Sequence, residues 1–214
     1  MYAKFFKRFI DFWLSLTALI VLLPLLLFLI IAGAIAMRGN PFFVQPRPGK
    51  KGKDGREKIF CLIKFRTMSN KRRPDGGLLP DEQRLTSYGR MLRNTSLDEL
   101  PELWNILRGD MALVGPRPLL VQYLPLYSEE QRRRHDIRPG LTGYAQVHGR
   151  NTLSWDERFR LDVAYIEKIS LRGDMRILFD TIRIVLKREG ISSDVSATME
   201  VFQGAPVNSE EIHV

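Results

Sequence analysis

The sequence has 214 residues, with 33 lysines and arginines against 24 aspartates and glutamates, a formal net charge of +9 and a pI near 9.9. This length suits one domain of ordinary size with its own core, and the basic balance implies an anionic partner such as nucleic acid, anionic lipid or a phosphorylated substrate. The single cysteine, Cys61, excludes an intramolecular disulfide and a cysteine-based zinc site. Its apolar neighbours in IFCLI predict a core position.

The first predicted element is an uncharged apolar run over residues 12–37. About 20 such residues can cross a bilayer, and the run is too long for a removable signal peptide. Three basic residues and one acid precede it, giving +2, whereas residues 38–73 hold 12 basic residues and 2 acids, giving +10. The positive-inside rule therefore places both flanks in the cytoplasm. Because Pro24 should kink the helix near its middle, we expect a segment that enters and leaves by the same face, with a straight single span as the alternative.

Residues 59–68, IFCLIKFRTM, alternate in the manner of a β-strand. Ile59, Cys61, Ile63 and Phe65 fall on one face, predicted to be the apolar one. Lys64 and Arg66 fall together on the other. Two cations on one strand face can bind a diphosphate, or they can lie on an exposed sheet edge, and the residues alone favour neither interpretation.

Residues 93–118, RNTSLDELPELWNILRGDMALVGPRP, place Asp98 and Glu99 beside each other at the predicted start of a helix. Helix starts favour negative groups, phosphates and metal-bound phosphates, because unpaired N–H groups point outward there. Two interpretations compete: Ser96 and Glu99 form a capping box for an apolar helix, or the acidic pair and Arg117 form a phosphate-transfer site of opposed charges. Arg93 fits either a phosphate contact or a helix cap.

The remaining chain offers weaker candidates. Arg138 and a glycine-rich run containing Gly143 and Gln146 can approach a ligand closely. Helices are predicted over residues 155–169 and 174–189, and Asp162 on the first is either a donor-binding group or a surface carboxylate. No nucleic-acid partner is expected, because exposed aromatics do not alternate with the basic residues.

Several of these motifs, taken in order, resemble the bacterial sugar transferases, the monotopic polyprenyl-phosphate phosphoglycosyl transferases. The resemblance covers residues 4–190 and rests on SLDELPELWNILRGDMALVGPRP, KFRTM, RPGLTGYAQVHGRN and the pattern around Asp162. The chain is most similar to the small members, such as the undecaprenyl-phosphate N,N'-diacetylbacillosamine 1-phosphate transferase type. Its Leu23-Pro24 departs from the Ser-Pro pair that is frequent in the family.

The resemblance implies an α/β fold, mostly α with a short sheet, in a single globular domain on the cytoplasmic face of the bacterial inner membrane. It further implies a re-entrant membrane helix in residues 1–37, kinked at Pro24, and a catalytic domain over residues 38–190. Residues 191–214 carry four acids and no lysine or arginine. They are predicted to form a partly disordered tail, with residues 199–202 docking on the body.

The resemblance also implies the chemistry: transfer of a sugar 1-phosphate from a UDP-sugar to a polyprenyl phosphate, with release of UMP. Asp98 would be the nucleophile that forms an aspartyl-phosphosugar, and Glu99 would assist the metal or the acceptor, with both carboxylates on Mg2+. The implied substrate-binding residues are Lys64, Arg66, Arg93, Arg117, Arg138, Gly143, Gln146 and Asp162.

The expected partners are the UDP-sugar, the polyprenyl phosphate, the bilayer and downstream glycosyltransferases of glycoconjugate synthesis. The sequence leaves the oligomeric state open, and it leaves the sugar open among diacetylbacillosamine, another N-acetylated amino sugar, galactose and glucose. The competing hypothesis is a non-catalytic membrane-attached scaffold or anionic-lipid-binding protein.

Overall fold

The computed structural model describes residues 2–149, 152–187 and 201–204. After a π-helical turn (Tyr2–Phe6), its helices are α1 (Lys7–Val21), α2 (Leu23–Met37), α3 (Asp81–Arg84), α4 (Ser87–Asn94), α5 (Glu102–Arg108), α6 (Glu129–Arg132), α7 (Tyr144–Val147), α8 (Trp155–Glu167) and α9 (Leu171–Lys187). The strands are β1 (Phe42–Lys51), β2 (Glu57–Phe65), β3 (Ala112–Val114) and β4 (Gly140–Thr142). Short 3-10 turns cover Leu97–Glu99, Val121–Leu126 and Arg133–His135.

The strands form two small pairs, an antiparallel hairpin of β1 and β2 and a parallel pair of β3 and β4. In the hairpin Pro46 lies opposite Cys61, and in the parallel pair Val114 lies opposite Thr142. The predicted class, mostly helical with a short sheet, is confirmed for the part of the chain that the structure describes.

Three apolar clusters hold these elements together. The largest joins β2, α5, β3, α8 and α9 through Phe60, Leu62, Leu103, Ile106, Met111, Leu113, Val114, Tyr165 and Ile177. A second packs α2 against β2 and α4 through Leu26, Leu29, Phe65 and Leu92. The third, called here the aromatic cluster, contains Leu119, Tyr123, Tyr127, Phe159 and Phe202. The large cluster fixes β2 and α5 side by side, which positions the charged residues described below.

Phe202 belongs to the acidic tail, most of which lies outside the described residues. Its side chain is 3% exposed, and its ring lies 5.1 Å from Phe159 and 5.6 Å from Tyr123, measured between centroids. The predicted docking of residues 199–202 on the body is therefore met at Phe202, whose aromatic side chain completes a buried cluster.

Over residues 59–62 the buried face of β2 is not the predicted one, although Phe65 of the predicted face is buried against α2 and α4. Phe60 and Leu62 are buried, whereas Ile59 is 50% exposed and Cys61 is exposed. Both faces of this strand are apolar, so alternation alone did not distinguish them. The predicted core position of Cys61 was wrong, since the larger Phe60 and Leu62 fill the space against α5.

The N-terminal helices are bent where they meet. Among the described residues no single helix is long and apolar enough to cross a bilayer, but α1 and α2 pass this test together and are bent by 66°. The break lies at Leu22 (φ −86°, ψ 1°), and Pro24 sits in the first turn of α2. A proline there costs no helical hydrogen bond, since the first N–H groups of a helix have no partner within it.

Helix α1 is amphipathic with its polar side turned inward. Lys7, Asp11 and Ser15 are buried, while Phe9 and Trp13 are 62% and 51% exposed. Lys7 Nζ lies 2.6 Å from Asp174 Oδ2 on α9, and Asp11 Oδ1 accepts a hydrogen bond from the N–H of Leu113 at 3.2 Å. Polar contacts therefore fasten the helix to the domain and leave its apolar side uncovered.

Candidate active site

A cluster of charged side chains lies where β2, the Leu97–Glu99 turn, α5 and the loop after β3 meet. Lys64 Nζ lies 2.7 Å from Glu99 Oε1, and Arg117 Nη2 donates to the same oxygen. Glu102 Oε1 lies 3.0 Å from Lys64 Nζ. This active-site cluster, completed by Asp98 beside Glu99, joins residues that are far apart in the sequence.

The backbone that carries the acidic pair does not form the predicted capping box. Ser96 has left-handed backbone angles (φ 56°, ψ 17°), and its side chain makes no capping hydrogen bond. Glu99 turns its carboxylate to Lys64 and Arg117 instead, because a double ion pair is stronger than a bond to a backbone N–H. Asp98 and Glu99 therefore occupy a 3-10 turn that precedes α5, with Pro101 at the junction.

The two adjacent carboxyls differ in proton affinity. Burial alone would raise the pKa of Glu99, but the charges and hydrogen bonds of Arg117 and Lys64 outweigh it and hold that pKa well below its usual range. The pKa of Asp98 is raised, first by burial and then by the negative charge of Glu99. Glu99 is thus a fixed anion, whereas Asp98 is the more basic carboxylate of the pair.

Asp98 also differs from Glu99 in its hydrogen bonds. Within the described ranges its carboxylate accepts none, and both cations of the cluster contact Glu99 Oε1 rather than Oε2. The oxygens of Asp98 and Glu99 Oε2 are therefore available to a ligand. A more basic carboxylate without hydrogen bonds, next to two cations, is suited to attack an electrophile that carries negative charge.

Glu102 is a third carboxylate that sequence reasoning missed. It is the first residue of α5 and is 2% exposed. Burial raises its pKa to about 7, against the opposing effect of Lys64. It follows Asp98 and Glu99 by one helical turn, and that spacing was the available signal.

Arg93 and Arg66 lie at the edge of the cluster. Arg93 Nε donates to Thr67 Oγ1 at 3.2 Å, and its charge lowers the pKa of Asp98. Arg66 Nε donates to the carbonyl of Met68 at 3.1 Å, so it does not pair with the carboxylates. Only Lys64 of the two predicted strand cations joins the cluster.

Arg138, Gly143 and Gln146 are not brought into the cluster. Arg138 Nε donates to the carbonyl of Gly109, at the end of α5 opposite Glu102. A Cβ on Gly143 would lie 2.2 Å from the carbonyl oxygen of Gly115, so this glycine is needed for the approach of two backbone segments. Gln146 Nε2 donates to the carbonyl of Leu141 at 3.0 Å.

Asp162 is neither exposed nor in the cluster, which corrects the surface-carboxylate interpretation. It is 2% exposed and accepts hydrogen bonds from Arg134 Nε and Nη2 at 3.2 and 2.8 Å. Arg134 Nη2 also donates to the carbonyl oxygen of Arg117 at 2.8 Å. The buried pair therefore supports the loop that presents Arg117 to Glu99.

The carboxylates match the oxygen ligands that Mg2+ prefers. Across residues 2–149, 152–187 and 201–204, no group of three histidine, cysteine, aspartate or glutamate side chains is placed to hold a metal. Magnesium sites commonly use one or two protein carboxylates together with substrate phosphates. Asp98 and Glu99 Oε2 fit that arrangement, whereas a site made by protein ligands alone does not form.

Comparison with known proteins identifies the family of this chain. Residues 2–188 match the model described as bacterial sugar transferase. The uncharacterized sugar transferase EpsL of Bacillus subtilis is 47% identical over 199 residues, which cover 93% of this chain and 96% of the relative. The exopolysaccharide production protein ExoY of Sinorhizobium fredii is 37% identical, covering 86% of this chain and 87% of that protein.

The name of one longer relative states an enzymatic activity. The undecaprenyl-phosphate galactose phosphotransferase of Salmonella typhimurium is 35% identical over 206 residues. The match covers 88% of this chain but 42% of that protein, so the chain spans less than half the length of this relative. The matched part of the chain includes the active-site cluster.

Proposed function

The chain belongs to the bacterial sugar transferase family, and from this premise we propose that it transfers a sugar 1-phosphate from a UDP-sugar to a polyprenyl phosphate in the membrane. The name of the Salmonella relative supports both the phosphosugar and the lipid acceptor. The observation that carries the proposal is the active-site cluster itself, in which Lys64 and Arg117 pair with Glu99 while Asp98 has no hydrogen bond.

The cations of the cluster bind the donor diphosphate. Arg117 is partly exposed, and a guanidinium matches the geometry of phosphate oxygens. Lys64 has three N–H donors and uses them on the carboxylates beside it, so a reoriented ammonium can reach a phosphate. Arg93, at the edge of the cluster, adds positive charge on the side of Asp98.

Asp98 performs the first chemical step. One of its carboxylate oxygens attacks the phosphorus that bears the sugar, forming an acyl phosphate bond while the bond from that phosphorus to the bridging oxygen breaks. UMP leaves with the bonding electrons, and a phosphosugar remains on the enzyme. The hydrogen-bond-free carboxylate of raised pKa supports this role.

Mg2+ is the proposed cofactor, and Asp98 and Glu99 would hold it together with the donor phosphates. When bound, it would neutralise charge on the diphosphate and on the leaving phosphate. The low pKa of Glu99 supports its part, because this carboxylate stays ionised at any physiological pH.

The second step returns Asp98 to its free form. A phosphate oxygen of the polyprenyl phosphate attacks the same phosphorus, the acyl phosphate bond breaks, and the products are a polyprenyl diphosphate sugar and the Asp98 carboxylate. Arg117 and Lys64 then stabilise the charge of the new diphosphate.

Membrane attachment is proposed from the uncovered apolar surfaces. Phe28, Ile31 and Ile35 on α2 are 61–73% exposed, and the apolar side of α1 is exposed as well. Helix α9 adds a stripe at helical spacing, formed by Leu171, Met175, Phe179, Ile182 and Leu186. A bend of 66° and basic flanks at both ends favour a re-entrant segment in the bacterial inner membrane, with the domain on the cytoplasmic face.

This placement explains why the enzyme carries a membrane segment. The acceptor phosphate lies at the bilayer surface, so the carboxylates must lie there too. The proposed product is a lipid-linked sugar, which suits the first membrane step of glycoconjugate synthesis, with downstream glycosyltransferases as the next enzymes.

To test the proposal, purified protein is mixed with Mg2+, undecaprenyl phosphate and each of several UDP-sugars. The released UMP and the lipid-linked product are then measured. We expect both products for at least one sugar, and neither from Asp98→Asn or Glu99→Gln. Asp156→Asn, on an exposed position of α8, is the control and should keep full activity. Vesicle binding without UMP release from any donor would contradict the proposal and favour a scaffold.

A further inference from the structure

Glu102 is the member of the active-site cluster for which the proposed mechanism has no role. It lies 2% exposed at the start of α5, and Lys64, 3.0 Å from its Oε1, is its one charged partner among the described residues. The desolvation cost of burying a carboxylate can exceed what one ion pair returns. Glutamine or leucine would avoid that cost, so the position of this acid calls for a reason.

The only cation within ion-pair distance of Glu102, among the described residues, is Lys64. Its Nζ lies 3.0 Å from Glu102 Oε1 and 2.7 Å from Glu99 Oε1, so the ammonium sits between two carboxylates. Glu99 also pairs with Arg117. Lys64 therefore shares Glu99 with Arg117, whereas Glu102 pairs with Lys64 alone among the described residues.

The proposed function gives this arrangement a use. When the donor diphosphate binds Lys64, the ammonium must turn part of its hydrogen bonding away from Glu99 Oε1 and toward the phosphate oxygens. An ammonium on a flexible four-carbon chain would then be free to rotate, at a cost in side-chain entropy when it binds phosphate. The carboxylate of Glu102, which also contacts the ammonium, keeps it in place.

We propose that Glu102 is a positioning residue, which holds the Lys64 ammonium in the active site so that it contacts the donor diphosphate. This inference rests on the proposed function, since it requires a donor diphosphate at the cluster. Glu102 itself is too buried to touch the substrate and acts through Lys64.

The direction in which Glu102→Gln changes donor binding distinguishes this positioning role from simple charge repulsion. If Glu102 were only a nearby negative charge, Glu102→Gln would remove repulsion and tighten binding of the anionic donor. If Glu102 positions Lys64, the same variant weakens binding. Glutamine has nearly the same shape, and the burial that raises the pKa of Glu102 means that a neutral group is well tolerated there, so the melting temperature should not fall.

The test is a double-mutant cycle on binding of the accepted UDP-sugar, measured by calorimetry with Mg2+ in an Asp98→Asn background that prevents turnover. We expect Glu102→Gln to weaken binding about five- to tenfold, a size typical of coupled neighbours. In a Lys64→Met background the same change should have less than about a twofold effect or should tighten binding. Glu130→Gln, on an exposed glutamate of α6, is the matched control and should have no effect.

Unchanged or tighter binding by Glu102→Gln, or equal weakening with and without Lys64, overturns the inference. If Glu102→Gln does not fold, Glu102→Asp replaces it, because the shorter side chain withdraws the carboxylate from Lys64 and should weaken binding similarly. Failure of the proposed function is distinguishable, since the wild-type protein would then release no UMP from any UDP-sugar, with or without polyprenyl phosphate.

Discussion

Two groups of buried charges in this molecule differ in how fully their hydrogen bonds are satisfied. Arg134 donates to Asp162, to the Tyr127 hydroxyl and to the Arg117 carbonyl, and it lies 5.4 Å from the Phe159 ring centroid. In the active-site cluster, by contrast, three carboxylates share Lys64 and Arg117. Among the described residues Asp98 accepts no hydrogen bond, and the one charged partner of Glu102 Oε1 is Lys64, at 3.0 Å.

This difference distinguishes an ion pair that supports the fold from a cluster that can carry out chemistry. A buried guanidinium that donates to a carboxylate, a hydroxyl and a carbonyl is held firmly, and it holds the backbone of Arg117 in place. A cluster with unused acceptors is costly to the fold but can bind cations and react. The two groups meet at Arg117, whose carbonyl belongs to the first and whose guanidinium belongs to the second.

The largest expected effect on stability comes from breaking the supporting pair. Asp162→Asn leaves the Arg134 charge buried without a counter-ion and should lower the free energy of unfolding by about 3–5 kcal/mol. Urea denaturation in detergent measures this change. Asp156→Asn, one exposed carboxylate on the same helix, should change it by less than about 0.5 kcal/mol, and a similar small change for Asp162→Asn would show that the pair is not a support.

The aromatic cluster that surrounds Arg134 depends on the tail. Phe202→Ala removes a ring that packs against Tyr123, Tyr127, Trp155 and Phe159, and it should cost about 2–4 kcal/mol of unfolding free energy. Phe202→Leu should recover most of this loss. If alanine there left the denaturation curve unchanged, the tail would not be part of the folded domain.

The active-site cluster predicts a pH dependence instead. Asp98 must be ionised to attack, and its pKa is raised, so the single-turnover rate should fall with decreasing pH at values above the usual range for an aspartate. Lys64 lowers the pKa of Asp98, and Lys64→Met should therefore move this acid limb to higher pH. An acid limb that moves downward, or not at all, would contradict the geometry of the cluster.

The smallest effect is expected on the exposed face of β2. Cys61→Ser should change the free energy of unfolding by less than about 0.5 kcal/mol, because the side chain is exposed. Leu62→Ala, on the neighbouring buried position, should cost about 2–4 kcal/mol in the same denaturation assay. Equal losses of unfolding free energy at both positions would show that Cys61 is buried, as predicted.

The sequence and the family resemblance together predicted the mixed fold and four residues that meet in the cluster. Asp98, Glu99 and Arg117 stood out as opposed charges, whereas Lys64 was assigned to the site by the resemblance. It did not predict the strand face, since β2 is apolar on both sides. Ser96 was misread because a local capping box competes with ion pairs to Lys64 and Arg117, which only the tertiary fold brings near.

Two missed residues share a different cause. Glu102 was not singled out in the sequence, and Arg134 follows Arg132 and Arg133 in a run of arginines that is typical of a charged surface. Arg134 is 2% exposed, whereas side-chain exposures of 47% and 37% make its two neighbours surface residues. Burial of a charge depends on partners distant in sequence, such as Asp162 and Lys64, so composition around each residue gave no sign of it.

The central claim is that Asp98 becomes covalently attached to a phosphosugar. It is tested most directly by the intact mass of the protein after incubation with Mg2+ and a panel of UDP-sugars, without any lipid acceptor. We expect a mass gain of one phosphosugar in the wild-type protein with the accepted donor, release of UMP in equal amount, and no gain in Asp98→Asn. UMP release that requires polyprenyl phosphate, with no adduct at any time, would contradict the covalent step and indicate direct transfer.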